Sequence, residues 1–291
     1  MTDIPIYELK ENPLRYIKAK KFLVKLLTFA LFPKKFRKKA KKYFAYKLGI
    51  GEKPFSKKYQ AEFEKVQQEF FKECDDIDRS KYQIISLGSS CLCRTLPTFW
   101  KLKPRKKDGE KSYPFDLCGN NITGQVQNLQ NDFAEYFDGL VWSKPFNHYI
   151  NIKKGIYYLH EDDLSNTPED LDTIKRRFNE RINNFREALK SDKPIIFIFH
   201  YGEKLSCCYP EEFDGLYAEI KKLRGNKPMS FFVVDTTQSL QPKFEDVEYY
   251  IPDFLPKNYV WSEEAFRYTK EGIRFENEMM HKLLKLVRRY Q

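Results

Sequence analysis

The sequence predicts an α/β fold, a mainly parallel sheet flanked by helices, preceded by a basic helical N-terminal arm. Three observations carry this. Short apolar runs such as Ile195-Ile196-Phe197-Ile198-Phe199 and Phe231-Phe232-Val233-Val234 have the length of strands buried on both faces. Between them lie stretches of ten or more residues with apolar positions at three- and four-residue steps. The cations are crowded into one terminal segment: Arg15 to Lys58 holds 16 Lys or Arg and one acid, +15, leaving +11 − 15 = −4 for the rest. The chain divides accordingly into an arm with linker, residues 1–80, and an α/β domain, residues 81–291.

In the arm, Phe22 to Phe32 is apolar but short, carries Lys25, and is stopped by Pro33. A spanning helix needs about 20 apolar residues, so this stretch cannot cross a bilayer alone. The run Lys34-Lys35-Phe36-Arg37-Lys38-Lys39-Ala40-Lys41-Lys42 follows at once. Apolar residues beside clustered cations suit an anionic membrane surface, each cation there adding about 1 kcal/mol. They suit equally a helix packed on the body with a solvated basic face. Residues 15–58 are therefore an expected membrane-surface contact. A nucleic-acid partner is not expected, since the body carries no basic stripe.

A polar helix is expected from Tyr59 to Cys74, and the acidic run Asp75 to Asp78 reads as a linker. Tyr82 to Leu87 is the first strand, ending in Gly88. A helix follows Cys91 as far as Trp100. Lys101 to Lys111 is a charged loop containing Pro104 and Gly109. Gly155 to His160 reads as the second strand and Leu171 to Leu189 as a helix with apolar Ile174, Phe178, Ile182, Phe185 and Leu189. Pro194 to His200 is the next strand, Phe213 to Leu223 a helix ended near Gly225, and Met229 to Asp235 a further strand. Val247 to Ile251 is a shorter strand, and Phe266 to Tyr290 closes the chain as a helix.

At 41% hydrophobic residues the chain can bury a real core. Its 16% aromatic content, mostly 25 Phe and 19 Tyr, fits either a ligand-lining role or the general bias of a Lys/Phe/Tyr-rich chain. The six cysteines are Cys74, Cys91, Cys93, Cys118, Cys207 and Cys208. No N-terminal stretch has the order of a signal peptide, so a cytoplasmic location is expected, peripheral at the inner membrane face if the arm binds there. Reduced thiols follow from that setting. Neither Cys91-x-Cys93 nor Cys207-Cys208 has the usual zinc spacing, so no metal and no cofactor is expected.

In a parallel sheet, ligands gather at the C-terminal strand ends. Here those ends carry Gly88-Ser89-Ser90-Cys91, then His160 with Glu161, then His200, then Asp235. Cys91 would sit at a helix N-terminus, where amides and the helix dipole lower a thiol pKa toward neutrality and could hold an oxyanion. A nearby imidazole could move the proton, oriented by a carboxylate. Position alone allows His160 or His200 in that role. The competing reading makes Cys91 a buried small residue, Ser89 or Ser90 a helix cap, and each histidine core filling. His148, in a loop beside Trp142 and Phe146, and His281, in the last helix, lack such a setting.

The segment Ile85-Ser86-Leu87-Gly88-Ser89-Ser90-Cys91, followed by Ser112-Tyr113-Pro114-Phe115-Asp116, resembles the bacterial family DUF1796, whose members are described as papain-like cysteine peptidases. Tyr158-Leu159-His160-Glu161 and the paired Arg176-Arg177 extend the similarity, which covers roughly residues 82–199. Leu117 departs from the family's Trp, and Glu161 from its usual Asp. The resemblance implies Cys91 as nucleophile, His160 as base and Asp116 as the group orienting the imidazole. Ser89, Ser90, His200 and Asp235 are expected to face a peptide or glycan substrate. The arm is loosely similar to N-terminal regions of enzymes of bacterial surface-polysaccharide clusters. Two further readings stay open. One is a glycan-directed transferase, or an esterase of SGNH type using Ser89, although the late Asp-x-x-His of that type is missing after Asp235. The other is a non-enzymatic membrane-associated binding protein.

Overall fold

The computed structural model describes residues 56–88, 90–116, 118–158, 160–161, 163–202, 210–256 and 259–291, with residues 21, 23–25, 27, 33, 36–37, 40–41 and 43–44 of the arm. Most of the arm, together with Ser89, Leu117, Cys207 and Cys208, lies outside the described residues. Two compact units form: residues 1–63 with 260–273, and residues 64–259 with 274–291.

The elements in chain order are α1 (Lys57–Glu73), β1 (Gln83–Ser86), α2 (Leu92–Phe99), a 3-10 turn (Lys106–Asp108), β2 (Gly119–Asn120), α3 (Ile122–Gln130), β3 (Leu140–Ser143), β4 (His148–Asn151) and β5 (Ile156–Tyr157). Then follow α4 (Pro168–Lys190), β6 (Ile195–Tyr201), α5 (Pro210–Arg224), β7 (Met229–Asp235), β8 (Val247–Tyr250), α6 (Glu264–Arg267) and α7 (Lys270–Arg288).

The larger unit is built on a parallel sheet in the order β1-β6-β7-β8. Ile84 pairs with Ile196 and Ser86 with Ile198, while Ile198 pairs with Phe232 and His200 with Val234. Every residue of β6 is buried, as a strand covered on both faces requires. Residues that pair across parallel strands share a face. Ile85, Phe197, Phe199, Phe231 and Val233 point into the main core, against Ile174, Phe178, Ile182 and Phe185 of α4 and Phe213, Leu216 and Ile220 of α5. On the opposite face Ser230 meets Tyr290, their hydroxyls 2.6 Å apart, and the Nζ of Lys103 donates to the carbonyl of Ile84. Trp100 is wholly buried there, with its Nε1 donating to Glu276 Oε2 at 2.8 Å and its ring edge-on to Phe70.

Helix α4 starts where its sequence commands. Thr167 Oγ1 accepts from the Asp170 amide at 3.2 Å, Asp170 Oδ2 accepts from the Thr167 amide at 3.3 Å, and Pro168 opens the first turn. Its other end is held by Arg224 of α5, whose guanidinium donates to the carbonyls of Ala188, Leu189, Ser191, Lys193 and Pro228. Helix α5 stops at Gly225, in the left-handed region at φ +57°.

The fold class is α/β as expected, but a second sheet was not foreseen. Strands β2-β5-β4-β3 form an antiparallel sheet between β1 and β6 in sequence. The expected second strand, Gly155 to His160, shrinks to Ile156–Tyr157 and belongs here, not to the parallel sheet. His148, expected in a loop, pairs with Ser143 in this sheet. The closing helix is broken into α6 and α7, with Thr269 Oγ1 accepting from the Gly272 amide at 3.0 Å. The acidic run after α1 is pinned rather than free, since the Asp78 amide donates to Gln291 Oε1 at 2.8 Å. Aromatic residues mostly build the core. Phe115, Phe133, Tyr136, Tyr158, Phe178 and Phe185 pack ring against ring, which favours the compositional reading of their abundance over ligand lining.

In the smaller unit, Phe63 is buried edge-on to Tyr268, with the Arg267 guanidinium over its ring. Among the described residues no helix is long and apolar enough to cross a membrane.

Candidate active site

Strand β1 ends at Ser86, and the chain turns through Gly88 into α2. Glycine is required at this turn: a Cβ on Gly88 would lie 2.5 Å from the Cys93 sulfur. Cys91 takes the N-cap position of α2, and its carbonyl accepts from the Arg94 and Thr95 amides at 3.2 and 2.8 Å. Its sulfur makes no capping bond. Instead Cys91 Sγ lies 3.0 Å from His160 Nε2.

This corrects the expected thiol acidity. Lowering it toward neutrality needs the helix amides to hold the sulfur, and they do not. Burial pushes the Cys91 thiol up to about 11; its own amide opposes this, and the negative charge of Asp116 adds to it. The resting group is a neutral thiol beside an imidazole. With the ring proton on Nδ1, Nε2 is free to accept the thiol hydrogen.

His160 is exposed, and Cys91 is its hydrogen-bond partner. What fixes it is its neighbour. Glu161 is 6% exposed, and its two carboxylate oxygens are held at 2.6 Å each by Arg177 Nη1 and Arg181 Nη2, both from α4. Arg177 also grips both oxygens of Asp163. Helix α4 thus clamps the segment that bears the histidine. Of the arginine pair noted in the sequence, Arg177 takes part and Arg176 is exposed. The second clamp residue, Arg181, lies one helical turn on, a spacing readable only once α4 is known to face Glu161.

Asp116 does not meet the imidazole. Its Oδ2 accepts from the Tyr113 amide at 3.1 Å and lies 3.7 Å from Arg94 Nε. Arg94 reaches Glu110 at 3.8 Å, and Glu110 pairs with the buried Lys103. The stretch expected as a charged loop therefore sends Lys103 inside, where it meets Glu110 and the Ile84 carbonyl of β1. Burial raises the Asp116 carboxyl pKa, opposed by Lys103 and Arg94, and burial lowers that of Lys103. The orienting role expected of Asp116 is thus replaced by a place in this buried ion network.

Ser90 and His200 do come together, in a contact separate from the Cys91–His160 one. Ser90 Oγ lies 2.8 Å from His200 Nδ1, and His200 Nε2 lies 3.0 Å from Thr236 Oγ1. Burial drives the His200 pKa down to about 4, against the pull of Asp235. Asp235 is buried and spent on its own loop. Its Oδ1 accepts from the Thr237 amide and hydroxyl and the Gln238 amide, and its Oδ2 from the Leu240 amide. It organises the loop after β7 rather than facing a ligand. Ser89 lies outside the described residues; the Ser–His contact that forms uses Ser90.

Beside His160 opens a cleft of about 630 Å³. Lys106, Lys111, Ser112, Glu180 and Asn184 line it along with Glu161 and its two arginines. The lining is polar and of mixed charge. Gln125, unremarked in the sequence, is wholly buried behind the turn and donates to the Gly88 carbonyl at 3.4 Å. Cys74, Cys91, Cys93 and Cys118 are free thiols, and among the described residues no cluster of ligating side chains could hold a metal.

The profile of a family described as "Putative papain-like cysteine peptidase (DUF1796)" matches residues 82–234. That span runs from β1 to Val234, the last residue but one of β7, and takes in Cys91, His160 and His200. No curated protein and no solved structure matches the chain.

Proposed function

The chain belongs to the DUF1796 family, and from that premise we propose that it is a papain-like thiol hydrolase in which Cys91 is the nucleophile and His160 the base. One observation carries the reading: the 3.0 Å approach of Cys91 Sγ to His160 Nε2 at the C-terminal edge of a parallel sheet. Because burial keeps the thiol neutral, His160 acts as a general base rather than as half of a standing ion pair. As Sγ attacks the acyl carbon, the S–C bond forms and the thiol proton passes to Nε2. Collapse breaks the bond to the leaving group, which takes the proton from His160. Water, deprotonated by the same nitrogen, then cleaves the thioester and restores the thiol.

The acyl group is a peptide or an ester borne on a glycan, received in the polar cleft beside His160. The +15 charge of residues 15–58 supports a further element of the proposal, action at an anionic membrane surface on surface-polysaccharide material. The test of the chemistry uses p-nitrophenyl acetate. A stoichiometric burst of p-nitrophenolate is expected from the unsubstituted chain and none from Cys91→Ala or His160→Ala. An equal burst from Cys91→Ala would sink the nucleophile assignment.

A further inference from the structure

One buried imidazole has no part in the scheme above. His200 is 5% exposed, at the end of β6. Its bonds can be given a direction. Thr236 Oγ1 donates to the Tyr201 carbonyl at 3.3 Å, so toward His200 it can only accept. The ring Nε2 therefore carries the hydrogen. With the imidazole neutral, Nδ1 is bare and accepts the hydroxyl hydrogen of Ser90. The Ser90 oxygen then accepts from the Leu92 amide at 3.4 Å, capping α2 from one residue ahead of Cys91.

We infer that His200 is a positioning residue. Through Ser90 it ties the residue before Cys91 to the ends of β6 and β7, and through the Leu92 amide the residue after it, so that the sulfur is aimed at His160. It takes no proton in the reaction. The backbone around it is shaped to fit: a Cβ on Gly202 would lie 2.7 Å from the His200 Cε1. The order of hydrogens also leaves the Ser90 hydroxyl committed, so it is neither a nucleophile nor a donor to substrate. This rests on Cys91 and His160 forming the reactive pair.

The test measures iodoacetamide alkylation of Cys91 against pH in the full chain, with mapping of the adduct. Ser90→Ala and His200→Leu should each slow the plateau rate about tenfold, as small misplacements of a reacting atom do. Neither should move the pH midpoint. The double variant should be no slower than either single one, because both break one chain of bonds. His200→Asn, which can present an acceptor to Ser90, should recover part of the rate. A midpoint shifted by His200→Leu would overturn the inference, and so would losses that add in the double variant. Ser90→Ala keeps the test valid should His200→Leu not fold. A p-nitrophenolate burst lost in His160→Ala, with no slowing of alkylation in Ser90→Ala, defeats this inference alone; a burst that survives in His160→Ala defeats the underlying pair as well.

Discussion

The Cys91 sulfur sits between opposing influences, and their balance decides how it can react. Its own amide favours the thiolate; burial and the carboxylate of Asp116 disfavour it, and burial is the largest of these effects. Asp116→Asn removes a negative charge, so the thiolate becomes easier to form and the alkylation midpoint of Cys91 should fall, by roughly half a unit. A midpoint that stays put would mean that the buried Arg94 and Lys103 already neutralise Asp116 at the sulfur. At this scale the sequence was informative about identity and poor about environment. Cys91, Ser90 and His200 could be singled out because Gly88 and the apolar runs before them mark strand ends; His160 was reached through a strand that ends instead at Tyr157. That Asp116 faces Arg94, and that Lys103 goes inside, has no local signature. Both follow from how residues 101–111 fold back against β1 and Arg94, a matter of tertiary packing.

Elements differ in how plainly they were written. Strands β6 and β7 and helix α4 announce themselves, since seven apolar-rich residues or six turns of regular spacing outweigh any local ambiguity. The antiparallel sheet does not. β2 and β5 have two residues each, and β3 and β4 four, too few for an alternation to register. Pairing partners rather than residue preference create these strands. The clamp from α4 to Glu161 is the element-level feature with the clearest consequence. Glu161→Ala would leave Arg181 without its carboxylate and release the segment bearing His160. A loss of about 2 kcal/mol is expected, less than for a wholly buried pair because Arg177 and Arg181 are partly open to solvent. Amide exchange across 160–164 should quicken, and the p-nitrophenolate burst should slow. Unchanged exchange there would show that the segment is held by other contacts.

For the whole molecule, the unequal sharing of charge separates two roles. Residues 15–58 of the arm carry +15 and the rest of the chain −4. We expect the full chain to sediment with phosphatidylserine-containing liposomes at low salt and to be released as salt screens the attraction. A chain lacking residues 15–58 should fail to sediment. Full-length chain that ignores such liposomes at low salt would reject membrane association and leave packing as the arm's role.

The same parallel sheet that holds the reactive turn also dictates when that turn can exist. Ile84 pairs with Ile196, and 196 − 84 = 112 residues separate them along the chain. The first strand therefore has no neighbour until β6 has been synthesised and docked, and His200 arrives with that same strand. Contacts of such long sequence separation form slowly, because chain entropy is lost well before pairing compensates for it. During synthesis the antiparallel sheet and the start of α4 can gather early from local pieces, while Cys91 remains on an unanchored segment. The nucleophile is thus assembled late, as a product of complete folding, and a truncated or half-made chain would carry the cysteine without its reactivity.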